Sequence, residues 1–503
     1  MTAEKTQALA YWLFLGFLIL YAAILLSECK HGLGSLDGHG IITATRNFIE
    51  NGRHEVSRPP GHPTTEIYIF GAIGWILKSG FGHSFDDRTY LIFQALIALA
   101  TLTVFYNLLR RLGTGNWRAL LATICLALSA QYFSNAIDGE EFISALFFIL
   151  LAIGFLLPRS GAEQSFGRPG LSILCFALAV GCRPEAIFAI VIYPVFCRFR
   201  PGWGWKHLLG IVIATLVAVL LVWLPVLFHG IRAPYQIGMN FRDSILGGGY
   251  KLVFQTFTLP VFVILCGILL YNLGKIAAHL RQPFPNNFVL TISCLIPVIF
   301  FALFFYYASK PSFLLITLPF LLTLAVTMSD SVLVALAVAT LLGCFIEVDI
   351  FRERRLTAPF LTAGSYARAV RGKPYYKTEY FRALSKQCSD FPTLIIADAW
   401  PWDFDYHVAH RNFAARPEIV SRTETGELKG FGLSTNPDCV FLPRNAAWQT
   451  NLLELWQANG YRLVMDATLY RTIFAKYDVT TSLGDSARVG NLSVKLFSIS
   501  PLP

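Results

Sequence analysis

Residues 8–26 read ALAYWLFLGFLILYAAILL, and residues 37–40, shortly beyond them, read DGHG. Nineteen residues without a charge approach the roughly 20 that a helix needs to cross a ~30 Å hydrocarbon core. Four more uncharged runs of similar length follow: Thr89–Leu109, Ala119–Ile137, Leu208–Phe228 and Leu252–Gly274. Composition agrees with them. The 503 residues are 55% hydrophobic and 14% charged, with a mean hydropathy of +0.54, whereas soluble domains carry about 25% charged residues. Such a chain is neither disordered nor an ordinary soluble protein, and it reads as a polytopic membrane protein. The first run is too long for a signal-peptide core and has no small-x-small cleavage site, so it reads as a retained helix.

Working outward, the polar segments set a topology. With Lys5 inside, the stretch 27–88 becomes a long external loop holding a short apolar piece, Ile67–Leu77, that suits a helix in the interface. Thr89–Leu109 returns inward to Arg110, Arg111 and Arg118. Ala119–Ile137 goes out to Asp138, Glu140 and Glu141, and Phe142–Leu157 comes back. Leu171–Cys197 is two apolar halves flanking Arg183-Pro184-Glu185, a broken hairpin, since charge and irregular backbone at membrane depth need protein or a wet cavity around them. Further spans are expected at 208–228, 252–274, 288–306, 312–328 and 332–346. The total is about eleven crossings, with the N-terminus cytoplasmic. Inside segments then hold eleven Lys and Arg and the short outside loops five, as the positive-inside rule requires.

The net charge of +10 comes from 41 basic and 31 acidic residues and is spread along loops without a polybasic tail. It suits membrane orientation and anionic lipid rather than nucleic acid. From Asp349 the chain turns polar, with β-like runs at Thr393–Ala397, Cys439–Leu442, Tyr461–Met465 and Thr472–Ala475 and an amphipathic helix near 447–459. The expected organisation is a transmembrane domain over 1–348 and an extracytoplasmic α/β domain over 349–503. Cys388 and Cys439 share that polar region, as a disulfide or as two separate thiols.

The external loop is densest in candidate chemistry. Asp37, just beyond the first span, is placed to act as a general base toward a hydroxyl at the membrane boundary. Arg58, in Ser57-Arg58-Pro59-Pro60-Gly61-His62-Pro63, suits a phosphate at headgroup depth because its guanidinium fork matches phosphate oxygens. Read alone, the same residues also fit a solvated loop with an N-capping Asp and a proline turn. His39, His62 and Glu66 could hold a divalent ion, although their spacing matches no zinc signature. Arg183 and Glu185 fit a structural pair shielding a break at membrane depth. Lys310 fits an interfacial lysine whose ammonium reaches for water.

An early Asp, the Arg58-Pro59-Pro60 element, an interfacial helix ending WILKSGFG at residues 75–82 and an inward span closed by Arg-Arg resemble the C-superfamily (GT-C) membrane glycosyltransferases. Within them the look is nearest to the branch of aminoarabinose lipid A transferases and protein O-mannosyltransferases. Asp138-Gly139-Glu140-Glu141, Arg183-Pro184-Glu185 and Lys310-Pro311-Ser312-Phe313 with Pro319 add to the resemblance, which covers roughly 8–346. It implies that Asp37 is the catalytic carboxylate, that Arg58 contacts the donor phosphate, and that Asp138, or Glu140 and Glu141, fill a second acidic position. The sequence departs where relatives carry a second acid after the early Asp, having Gly38 there, with His39 next to it. It departs again where relatives are aromatic, at His62-Pro63-Thr64-Thr65-Glu66.

The function expected is transfer of a sugar from a polyprenyl-phosphate carrier to a lipid-linked or cell-envelope glycan, with a protein acceptor as the nearest variant. A bacterial inner membrane is implied, with membrane lipid as a partner. Arg58, Arg232, Arg242, Lys251 and Lys310 would stabilise the departing phosphate. No nucleotide or diphosphate-metal motif is needed, so no cofactor is required, while a divalent metal stays open. The alternative class is a transporter or flippase, whose marks would be repeated halves and charges near span centres.

Overall fold

The structure is a computed structural model of the 503-residue chain. It describes residues 3–29, 36–52, 54, 64–158, 167–229, 248–306, 311–352, 355–364 and 366, and beyond them the strands at 393–397, 418–419, 421–422, 428–429, 439–443, 462–466, 482–489 and 492–499. The chain divides into two compact units, Met1–Leu33 with Ala44–Arg371, and Gly34–Thr43 with Gly372–Pro503.

The first unit is almost entirely helical. In chain order its helices are α1 (Ala3–Cys29), α2 (Leu36–Asn51, whose first turns fall in the other unit), α3 (Thr64–Phe81), α4 (Asp87–Arg111), α5 (Asn116–Leu128), α6 (Ala130–Asp138), α7 (Phe142–Leu156), α8 (Pro169–Cys182), α9 (Ile192–Phe199), α10 (Trp205–His229), α11 (Leu259–Gly274), α12 (Ile276–Leu280), α13 (Asn286–Tyr306), α14 (Thr317–Ala325) and α15 (Asp330–Phe345). Gln7–Cys29, Asp87–Arg111, Trp205–Phe228 and Asn286–Phe305 are long and apolar enough to cross a membrane, and the number is six among the described residues if each of two bent pairs is counted as one span. The most apolar window of Trp205–Phe228 is only 17% buried in protein. Its exposed Leu216, Val217, Leu220 and Leu221 therefore face lipid.

Several expected spans are broken, and each break has a local cause. The expected crossing 119–137 bends by 59° between α5 and α6, where Ser129 is extended and its hydroxyl donates to the Leu126 carbonyl at 2.7 Å. Leu252–Gly274 is not one straight helix. Gly248–Thr256 meets Leu259–Gly274 at 106°, with Phe257 and Thr258 extended just before Pro260 restarts the helix. Leu171–Cys197 breaks at Arg183, which is extended because it precedes a proline. A 3₁₀ turn, Pro184–Val191, then leads into α9. The expected 312–328 crossing is a 3₁₀ turn at Pro311–Leu314 followed by the nine-residue α14. α7, α8 and α15 are apolar but shorter than a full span. The expected eleven crossings thus resolve into four to six long spans plus shorter and broken helices among the described residues. The stretch 27–88, expected as an external loop, also holds more helix than expected. Its Ile67–Leu77 piece is the centre of the 18-residue α3, and α2 precedes it.

Strands β1 (Ile346–Arg352) and β2 (Arg355–Ala363) form an antiparallel hairpin that stays with the helical unit. In the second unit, β3 (Thr393–Ala397), β4 (Glu418–Ile419), β7 (Cys439–Pro443), β8 (Arg462–Asp466), β9 (Ser482–Val489) and β10 (Leu492–Ile499) make one sheet in the order β4-β7-β3-β8-β10-β9. Its first four strands are parallel, and β10 and β9 are antiparallel. β5 (Ser421–Arg422) and β6 (Leu428–Lys429) pair separately. Three of the four β-like runs read from sequence are strands of this sheet. The run 472–475, the helix at 447–459 and Cys388 lie outside the described residues.

Candidate active-site region

The last turn of α8 places Gly181 against α3 and α10. A Cβ there would meet the Thr65 hydroxyl and a Val222 methyl, so only glycine lets the three helices approach this closely. Thr65 meanwhile donates to the Leu178 carbonyl at 2.9 Å. α8 then stops at Cys182, and Arg183 is delivered at the break.

Arg183 is 5% exposed. Its Nη1 donates to Oε1 of Glu141, itself fully buried at the start of α7. Its Nη2 and Nε donate to the Glu185 carboxylate at 3.0 and 3.2 Å. The guanidinium carbon also lies 4.0 Å from the ring centroid of Phe142 and 4.8 Å from that of Phe313. The cation is therefore held by two carboxylates and two aromatic faces, which offset its desolvation.

A second buried acid stands nearby. Glu66, in the first turn of α3, is 1% exposed. Gln94 Nε2 donates to its Oε1 at 3.0 Å, and the Tyr90 hydroxyl is 3.4 Å from its Oε2. Tyr90 also donates to the Gly139 carbonyl at 2.9 Å, two residues before Glu141. Gly139 ends α6 in the left-handed conformation, with φ 69°. Cys182 lies beside Thr65 and within electrostatic reach of Glu66, Glu141 and Arg183. One buried polar cluster therefore ties together the ends of α3, α4, α6, α7 and α8.

Next to it, neutral amides join the broken segments. Gln131 Nε2 donates to the Gln255 carbonyl at 2.6 Å, the Ser312 hydroxyl donates to Gln131 Oε1 at 3.1 Å, and Asn135 Nδ2 donates to Ser312 Oγ at 3.2 Å. These bonds hold α6 to the turn that begins at Lys251 and to the turn that follows Lys310.

The structure thus brings together Glu66, Glu141, Arg183 and Glu185 of the residues singled out from sequence. Arg183 and Glu185 pair as expected, and the pair also engages Glu141. Asp138 ends α6 and Glu140 stands in the following turn, both half-buried. Lys251 is half-buried at the start of its turn. Asp37 is the second residue of α2 rather than part of a loop, and it belongs to the second unit. The side chains of Asp37 and His39, and residues Arg58, His62, Arg232, Arg242 and Lys310, lie outside the described residues. Glu66, offered as a metal ligand, is held by Gln94 and Tyr90.

Sequence reading missed Tyr90, Gln94 and Phe142. The available signal was Gln94, an amide inside an uncharged run, one helical turn after Tyr90.

No protein-family profile and no curated protein matches the chain. Among solved structures it is similar to the arabinofuranosyltransferase AftD from mycobacteria, at a TM-score of 0.43 and 15% identity, covering 96% of this chain and 41% of that one. It is similar to ArnT from Cupriavidus metallidurans in the apo state at a TM-score of 0.52 and 13% identity, covering 96% of this chain and 98% of that one. The likeness to ArnT extends over nearly all of both chains, so the two share a fold.

Proposed function

We propose that this protein is an integral membrane glycosyltransferase that moves a sugar from a polyprenyl-phosphate donor to a lipid-linked or cell-envelope glycan on the non-cytoplasmic face. The observation that carries the reading is the GT-C fold shared with ArnT across almost the whole of both chains. It is supported by the order of Asp37, the Arg58-Pro59-Pro60 element and the acidic cluster at 138–141, as in the family the sequence resembles. In this reaction Asp37 takes the proton of the acceptor hydroxyl, whose oxygen attacks the anomeric carbon. The bond to the phosphate oxygen breaks, its electron pair leaves with the polyprenyl phosphate, and the sugar inverts. Arg58 neutralises the developing charge, with Arg232, Arg242, Lys251 and Lys310 available to assist.

The cluster around Arg183 has a different part. Its guanidinium donors are already committed to Glu141 and Glu185, so it fixes helix ends within the helical unit instead of binding donor phosphate. The N-terminus is cytoplasmic and the sheet-bearing unit extracytoplasmic.

The test uses full-length protein in lipid nanodiscs with a panel of polyprenyl-phosphate sugars, following released polyprenyl phosphate by mass spectrometry. Wild type consumes one donor, and Asp37→Asn loses about 10²–10⁴-fold in rate, the usual worth of a general base. Arg58→Ala weakens donor binding. If no donor is consumed with membrane extract as acceptor, and none raises the melting temperature, the transferase reading fails and a lipid-linked solute transporter takes its place.

A further inference from the structure

At the end of the helical unit remote from Arg183, α4, α11, α13 and α14 converge on a cavity of about 380 Å³. Tyr90 and Gln94 lie in the first two turns of α4, whereas Leu112, just past its last turn, lines this cavity. At 1.5 Å per residue the two sites are roughly 30 Å apart. Arg110 and Arg111 end α4 here and Arg118 follows in α5, the cationic end that an anionic membrane leaflet attracts.

The polar lining includes Asn272, Lys275, His279, Gln282, Asn286 and Thr327, and no carboxylate is among the lining residues. Asn272 Nδ2 donates to the Ile268 carbonyl at 2.9 Å, which turns its Oδ1 toward His279. His279 Nε2 lies 2.9 Å from that oxygen and therefore carries the ring proton. The lone pair is left on Nδ1. His279 is 6% exposed, and its Nδ1 is buried with no partner among the described residues. Burial first, and Lys275 second, hold the ring below its ordinary pKa, so it stays neutral and the lone pair stays open. Lys275 contacts the Tyr271 hydroxyl, and its ammonium lies 4.3 Å from the centroid of that ring. An unmet buried acceptor beside a steadied ammonium, without any carboxylate, calls for a ligand carrying both a hydroxyl and a negative charge.

We propose that this cavity binds a phosphoester bearing a free hydroxyl, of the glycerol-phosphate type. The hydroxyl donates to His279 Nδ1, and phosphate oxygens accept from Lys275 Nζ. The same chemistry is offered by a phospholipid headgroup and by a soluble glycerol phosphate.

Full-length protein in phosphatidylcholine nanodiscs, doped with phosphatidylglycerol or with phosphatidylmethanol, separates the terms. Phosphatidylmethanol has the same charge and no free hydroxyl. Bound lipid is read by native mass spectrometry and stability by melting temperature. Phosphatidylglycerol is expected to be retained several-fold better than phosphatidylmethanol and to raise the melting temperature. His279→Gln keeps a donor for Asn272 and removes the Nδ1 acceptor, so retention falls about fivefold, the size of one net hydrogen bond. Lys275→Met, at an exposed position, lowers retention similarly. If glycerol 3-phosphate in undoped discs stabilises wild type but not His279→Gln, the site takes the soluble form. Equal retention of the two anionic lipids with no glycerol 3-phosphate effect overturns the proposal, as does wild-type retention by both variants.

Discussion

Arg183 shows how a charge persists in an apolar interior. Its donors meet Glu141 and Glu185, and its faces meet Phe142 and Phe313. Removing the cation alone takes the guanidinium away from buried Glu141, and a buried pair that loses one partner costs about 3–5 kcal/mol. Arg183→Met is therefore expected to lower the melting temperature in detergent sharply. Arg183→Met combined with Glu141→Gln should recover much of the loss, because no buried charge then stands alone. If the double variant is no more stable than the single one, the pairing described here is not what holds the two helix ends.

At the scale of elements, this fold is shaped by interruptions. Ser129, Arg183 before Pro184, and Phe257-Thr258 before Pro260 each break a segment that hydropathy reads as continuous or nearly so. Backbone freed at such a break is met by a side chain at Gln255, whose carbonyl accepts from Gln131 Nε2. Close approach of α8 to α3 and α10 depends on Gly181, where a methyl group would press on Thr65 and Val222. Gly181→Ala is expected to destabilise by about 1–3 kcal/mol through overpacking, read as a lower melting temperature. Gly154→Ala, with open space around its Cβ position, should leave stability nearly unchanged and serves as the control.

At the scale of the molecule, orientation is the outstanding physical variable. On the topology expected from sequence, eleven Lys and Arg lie inside against five in the short outside loops, a bias that would set the helical unit one way across the bilayer. Alkaline phosphatase fused after residue 503 is expected to be active, and a fused fluorescent protein that folds only in the cytoplasm should stay dark. The reverse pair would place the sheet-bearing unit in the cytoplasm and, with it, remove Asp37 from the face proposed for transfer.

Hydropathy by itself determined that the chain is a membrane protein. It located the spans at 8–26, 89–109, 208–228 and 288–306, because a long uncharged run has no soluble alternative of equal stability. The strands at 393–397, 439–443 and 462–466 were legible for a similar local reason, their short β-branched and aromatic runs between turn residues. The order of Asp37, Arg58-Pro59-Pro60 and Arg183-Pro184-Glu185 gave a resemblance to the GT-C family, and Arg183 with Glu185 read correctly as a pair because they flank a proline break. The partners of that pair were decided only by tertiary structure. Glu141 is 42 residues from Arg183, and Gln94 is 28 from Glu66, and no local pattern encodes a contact between helices. The bends were likewise beyond hydropathy, which counts apolar residues and is blind to where the backbone turns. A buried charge or amide is stable only where another element supplies its partner, and that element is chosen by packing.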